Sequence, residues 1–276
     1  MRGWQEFRGE LLQFAVHILV ECVCMIITTH QPIFLPWPGF FYKALRADTM
    51  VLLDEVQFPL GRGWMNRNRV KSDQGELWLT VPVWKKGKGE QRIRDVEICH
   101  ETDWRRRHLR SLRQYYTNAP YREDYLPAIE SIYTRGHRGL LDFNVDLIRM
   151  QWDALGIKCR LVSQSQIGVS GKGTNLLMSI CRALNADTYV TLPIVEKYLD
   201  TEQFRASGIK PVFARFSPPV YPQLWGGFRY NLSTLDLLLN CGPKALDIIA
   251  QSQPEDPGGK ASPNLSSPAG NRKSVR

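Results

Sequence analysis

Residues 26–38 read Ile-Ile-Thr-Thr-His-Gln-Pro-Ile-Phe-Leu-Pro-Trp-Pro, and three prolines this close, Pro32, Pro36 and Pro38, rule out a regular helix there. The stretch Ile26–Thr29 just before them is β-branched throughout, which favours a strand. A strand that feeds a stiff irregular segment and then a helix, expected over Gly39–Arg46 with Phe41, Ala44 and Leu45 on one face, is an α/β pattern.

The rest of the chain extends that pattern. Thr49–Leu53 reads as a second strand, and Leu77–Val83 as a buried one that Pro82 places near an edge or an end. Asp103 is the expected N-cap of a helix carrying Trp104, His108, Leu112 and Tyr115 on one stripe. Leu140–Leu155 is a helix closed by Gly156, and Ile157–Val162 is strand-like. Thr174 caps the helix Asn175–Leu184, Thr188–Leu192 is strand-like, and the Pro-rich loop Phe216–Gln223 precedes the helix Ser233–Asn240. The fold class expected is α/β, a mixed, at least partly parallel sheet flanked by helices.

Hydrophobic content of 43% with eight Trp excludes a disordered chain, and 276 residues suffice for a sizeable core. The net charge is +9, of which residues 251–276 hold +2 and residues 1–24 hold −1, leaving +8 in the body. A basic body suits an anionic partner, whether nucleotide-sugar, lipid phosphate, coenzyme or nucleic acid. The basic residues are scattered and no nucleic-acid motif appears, so nucleic acid ranks last. Six thinly spread cysteines read as reduced thiols of a cytoplasmic protein, and Cys22 and Cys24 lack a second pair at zinc-ligand spacing. The apolar stretch from Leu11 to Ile27 is interrupted by Gln13, His17 and Glu21 and makes no transmembrane segment. Met25 opens the first strand, so residues 1–24 read as an upstream extension from a misplaced start codon. Residues 251–276, rich in Ser, Pro, Gly and Asn, read as a disordered tail.

The candidate site follows the first strand. In parallel α/β sheets ligands bind at the carboxyl ends of strands, where His30, Gln31 and Trp37 are expected to lie. A Pro-rich loop can also merely plug the sheet, but position and composition together favour a site. At the end of the second strand Asp54 is a candidate general base beside Glu55, which alternation turns the other way. Residues 62–69 read as a basic loop in which Trp64, Asn66, Arg67 and Arg69 suit a phosphate or carboxylate and a stacked ring. Lys197, Tyr198 and Gln223, polar groups in or beside loops, complete the binding set, although sequence barely separates them from packing residues. Lys85–Gly89 reads as a solvated basic hairpin, and Gly168–Thr174 lacks the spacing of a phosphate loop. No serine-hydrolase elbow, zinc-protease helix or dinucleotide fingerprint is present, and no cofactor is indicated.

Taken together, His30-Gln31-Pro32-x-Phe34-Leu35-Pro36-Trp37-x-Gly39-Phe40, Leu53 to Phe58, Asn66-Arg67-Asn68-Arg69 and Leu79-Thr80-Val81-Pro82-Val83 resemble the WbqC-like protein family. Trp104-x-x-x-His108, Lys197-Tyr198-Leu199 and Tyr221-x-Gln223 fit the same pattern, and the resemblance spans about residues 25–245. It implies one catalytic domain, 25–250, in a bacterial enzyme tied to O-antigen and other surface glycans, with a glycine transferase proposed among its members. It carries over no catalytic residue. The opening is similar, more weakly, to nucleotidyltransferases that place His-x-Gly-His on the nucleotide phosphates, but Trp37-Pro38-Gly39-Phe40 stands there instead. The expected activity is acyl or aminoacyl transfer to a sugar, with His30 as general base and Arg67 and Arg69 holding the phosphate of an anionic donor. Nucleotidyl transfer and a non-catalytic anion-binding module are the alternatives.

Overall fold

The β-branched run forms β1 (Ile26–His30) at the centre of a five-stranded sheet, with Ile27, Thr28 and Thr29 fully covered. The computed structural model describes residues 24–59, 61 and 63–252. Apart from Cys24, the expected upstream extension lies outside the described residues, as does the expected tail from residue 253 onward. After β1 come α1 (Pro38–Ala44), β2 (Thr49–Leu52), β3 (Arg67–Ser72), β4 (Gly75–Thr80), α2 (Trp104–Tyr115), α3 (Arg122–Thr134) and α4 (Leu140–Leu155). β5 (Arg160–Ser163), α5 (Gln164–Ile167), α6 (Gly173–Ala183), β6 (Thr188–Thr191), α7 (Thr201–Ala206), β7 (Lys210–Phe213), α8 (Thr234–Cys241) and α9 (Ala245–Ala250) follow. Among the described residues no helix is long and apolar enough to cross a membrane.

The sheet order is β5-β2-β1-β6-β7 and every pairing is parallel, Ile27 standing between Thr49 and Tyr189. Side-chain alternation splits the apolar residues between two cores. Met50 and Leu52 face one that includes Phe40, Phe41, Trp152 and Leu235, while Ile27, Val51 and Tyr189 face another built with Leu176 and Phe204. Helices therefore cover both faces, as a parallel sheet requires. β3 and β4 form a separate antiparallel hairpin.

Three local expectations are corrected. The basic loop at 62–69 becomes strand from Arg67 onward, because Asn68, Val70 and Ser72 are buried on alternate positions of β3. The buried strand at Leu77–Val83 is instead β4, half exposed and ending at Thr80, two residues before Pro82. Thr174 does not cap its helix, since α6 begins at Gly173 and the Thr174 hydroxyl accepts from the Asp200 N–H at 3.0 Å. Gly156, by contrast, closes α4 as expected, in the left-handed region at φ 67°.

The hairpin is stitched to the proline run by two buried side-chain amides. Asn144 on α4 donates to Pro32 O and Met65 O, both at 2.8 Å. Asn68 on β3 donates to Leu35 O at 2.6 Å and Phe34 O at 3.2 Å, across the left-handed turn at Leu35, φ 44°. Backbone bonds from Phe34 N to Trp64 O and from Thr234 N to Pro36 O complete the attachment. Asn68→Ala orphans two buried carbonyls and is expected to lower the unfolding free energy by about 2–3 kcal/mol in urea denaturation. A loss under about 0.5 kcal/mol, the usual range of surface substitutions, contradicts this clamp.

Candidate active site

From β1 the chain winds outward through β2 to β5, then returns to the other side of β1 as β6 and winds outward to β7. The connections leaving β1 and β6 diverge, and the carboxyl ends of those two strands are where parallel α/β sheets place a ligand crevice. His30 ends β1 there. Its Nδ1 lies 2.8 Å from Gln31 O, and a carbonyl only accepts, so Nδ1 carries the proton and Nε2 keeps its lone pair. Nε2 has no hydrogen-bond partner among the described residues. The ring packs edge-on against Phe40 at 4.9 Å, and burial together with the charge of Lys43 lowers its pKa to about 3. The imidazole is therefore neutral across the physiological range.

His108 makes the contrast clear. Its Nε2 accepts from the Thr80 N–H at 3.0 Å and its Nδ1 meets the Tyr133 hydroxyl at 3.2 Å, so both nitrogens serve the core.

Lys43, unremarked in the sequence, lies on α1 beside His30. It is 4% exposed, and its ammonium donates to Thr29 O at 2.6 Å. Burial alone pushes its pKa down to about 7. The signal nearest to it is that Lys43 sits within the apolar run Phe40-Phe41-Tyr42-Lys43-Ala44-Leu45, the composition of a helix covered on most sides.

The other candidates divide by location. Gln31 holds the His30 ring through its carbonyl, and the Trp37 ring covers Gly39, where an added Cβ would fall 2.0 Å from it. Lys197 and Tyr198 lie in the turn after β6, with the ammonium 4.8 Å from the Tyr198 ring. Asp54, 1% exposed, accepts from the Ser165 N–H at 3.0 Å and the Ser165 hydroxyl at 2.5 Å, which ties the end of β2 to α5. Asn66 donates to Val81 O at 2.8 Å within the hairpin.

Arg67 and Arg69 occupy the face of β3 opposite Asn68. Arg67 stacks on Trp78 at 3.6 Å, and Arg69 makes a two-pronged pair with Glu76 at 2.9 and 3.1 Å and donates to Asn231 O. Trp64 and Trp78 flank them as a half-exposed aromatic pair, rings 5.5 Å apart. The proline run and the arginine-bearing segment thus touch, but through Asn68 rather than through the guanidinium groups. Gln223 belongs to another cluster, exchanging two 2.9 Å bonds with the backbone of Arg229. Beneath it Lys71 and Asp236 are buried, and Asp236 accepts from the hydroxyls of Tyr116 and Tyr221. Burial raises the Asp236 pKa and lowers that of Lys71. Two concavities of ≈ 380 and ≈ 390 Å³ on the α2 side, which share Asp103 and Arg105, hold none of these residues.

A parallel sheet covered on both faces, with its reversal point beside β1, defines a doubly wound α/β protein. The chain belongs to the WbqC-like protein family, whose model matches residues 31–248. It is similar to the uncharacterized protein Rv1507c of Mycobacterium tuberculosis (strain ATCC 25618 / H37Rv), 34% identical over 221 residues that cover 79% of this chain and 95% of the relative. No solved structure matches it.

Between about pH 7 and the ordinary lysine value of 10.5, Lys43 binds fewer protons folded than unfolded, so its contribution to stability rises with pH across that window. Unfolding free energies at about pH 7 and about pH 9.5 are expected to show a rise in the wild type that Lys43→Met loses. The same pH dependence in both proteins contradicts a lysine held neutral by burial.

Proposed function

We propose that this chain is a transferase of surface-polysaccharide assembly that moves an acyl or aminoacyl group onto a sugar amine or hydroxyl, with His30 as general base. The observation that carries the reading is the state of His30: neutral, fixed as one tautomer by Gln31 O, with the Nε2 lone pair free at the end of β1. In the reaction the acceptor nitrogen or oxygen attacks the donor carbonyl carbon while its proton passes to Nε2. The imidazolium then returns that proton to the leaving group as the tetrahedral intermediate collapses, so the base is regenerated. The exposed Trp64 and Trp78 rings support a sugar partner, since they offer flat apolar surface beside the hairpin. Arg69, whose charge faces Glu76, is not assigned the donor phosphate. Free cysteines at positions 24, 99, 159, 181 and 241 accord with a cytoplasmic setting.

Nucleotidyl transfer is the second reading, favoured by the position of the crevice at the reversal point of a parallel sheet. Turnover assays with acyl and aminoacyl donors and amino-sugar acceptors separate the two. His30→Ala is expected to lower kcat/KM by about 10²-fold or more. Unchanged turnover in that variant removes His30 from the chemistry, and pyrophosphate release abolished by a chelator selects the second reading.

A further inference from the structure

Lys43 lies beside His30 at the carboxyl end of β1, and its bonding is incomplete. An ammonium has three N–H donors. Among the described residues Thr29 O is the one acceptor Lys43 reaches, and no carboxylate pairs with it. An interior cation with so few partners is costly, and proteins keep such groups chiefly where they act. A second buried atom nearby is also unsatisfied. Thr28 Oγ1 has no hydrogen-bond partner, and Thr28 is fully covered. Side chains alternate along a strand, so Thr28 and His30 project to the same side of β1, the side that α1 covers through the contact of Phe40 with His30. Lys43 bonds the carbonyl of the residue between them. Three groups with unused hydrogen-bonding capacity, Lys43 Nζ, Thr28 Oγ1 and His30 Nε2, therefore cluster about the last three residues of one strand.

We propose that Lys43 is the anion-holding residue of this crevice, its ammonium binding an oxyanion of the substrate, phosphate or carboxylate, beside His30. The inference deepens the transferase reading and rests on it for the presence of substrate in the crevice. It also supplies a donor-binding charge in place of that of Arg69, which faces Glu76. Lys43 is the charged group that acts on the His30 ring. An oxyanion seated on Lys43 offsets that positive charge, so His30 becomes a stronger base when substrate is present and stays weak when the crevice is empty. Lys43 is thus a binding and positioning residue, and the proton transfer belongs to His30.

The test follows the His30 imidazole resonances by NMR in the full chain, identified by their loss in His30→Gln, as inorganic phosphate or acetate is added at constant ionic strength near neutral pH. In the wild type a saturable shift is expected with at least one of the two anions; phosphate alone identifies a phosphate site, acetate alone a carboxylate site. Lys43→Met is expected to weaken the response at least ten-fold, and Lys43→Arg to retain it. Methionine matches the aliphatic stem and removes a buried charge, so the variant is expected to fold. The wild-type titration stands without it. His30 resonances unmoved by either anion overturn the proposal, as does a Lys43→Met response equal to that of the wild type. Because the readout is binding rather than turnover, failure of the transferase reading shows separately, in the assays of His30→Ala.

Discussion

Two buried carboxamides, Asn68 and Asn144, hold the site together. The proline run leaves the sheet with its backbone carbonyls turned inward, and irregular backbone cannot pair them with neighbouring strands. Side chains satisfy three of them instead. Asn144 takes Pro32 O and Asn68 takes Phe34 O and Leu35 O, so three elements, β3, α4 and the run itself, are fixed by two residues. The left-handed Leu35 is tolerable only because those bonds over-determine it.

From that constraint the electrostatics follow. With the run fixed, α1 starts at Pro38 and lies against β1, which places Lys43 against Thr29 O and Phe40 on the His30 ring. Neither ionisable group retains enough water to keep its ordinary pKa, and both move toward the neutral form. A neutral imidazole of one tautomer thus stands next to an amine whose pKa burial lowers to about 7. The pairing is produced by packing, without a buried carboxylate beside it.

Much of this was legible in the sequence because it rests on apolar spacing or on proline and glycine. The strands at Ile26 and Thr188, the helix from Leu140 to Leu155 and the position of His30 at a strand end all carry such signals. β3 does not. Its residues Arg-Asn-Arg-Val-Lys-Ser are polar at all positions but one, and the buried ones are satisfied by hydrogen bonds rather than by apolarity. Pro127 obscured α3, and Pro211 obscured β7, an edge strand that tolerates it. Lys43 escaped notice for a similar reason: on charge alone a lysine reads as surface, and its burial depends on what α1 packs against.

The most direct measurement is native-state hydrogen exchange at the Phe34 amide, which donates to Trp64 O where the proline run meets the hairpin. A run fixed as a unit with the core should exchange there only through global unfolding, with the same free energy as the amides of β1 and the same denaturant dependence. Exchange at Phe34 by local opening, at a free energy well below that of β1 and insensitive to denaturant, would contradict a rigid site built on Asn68 and Asn144.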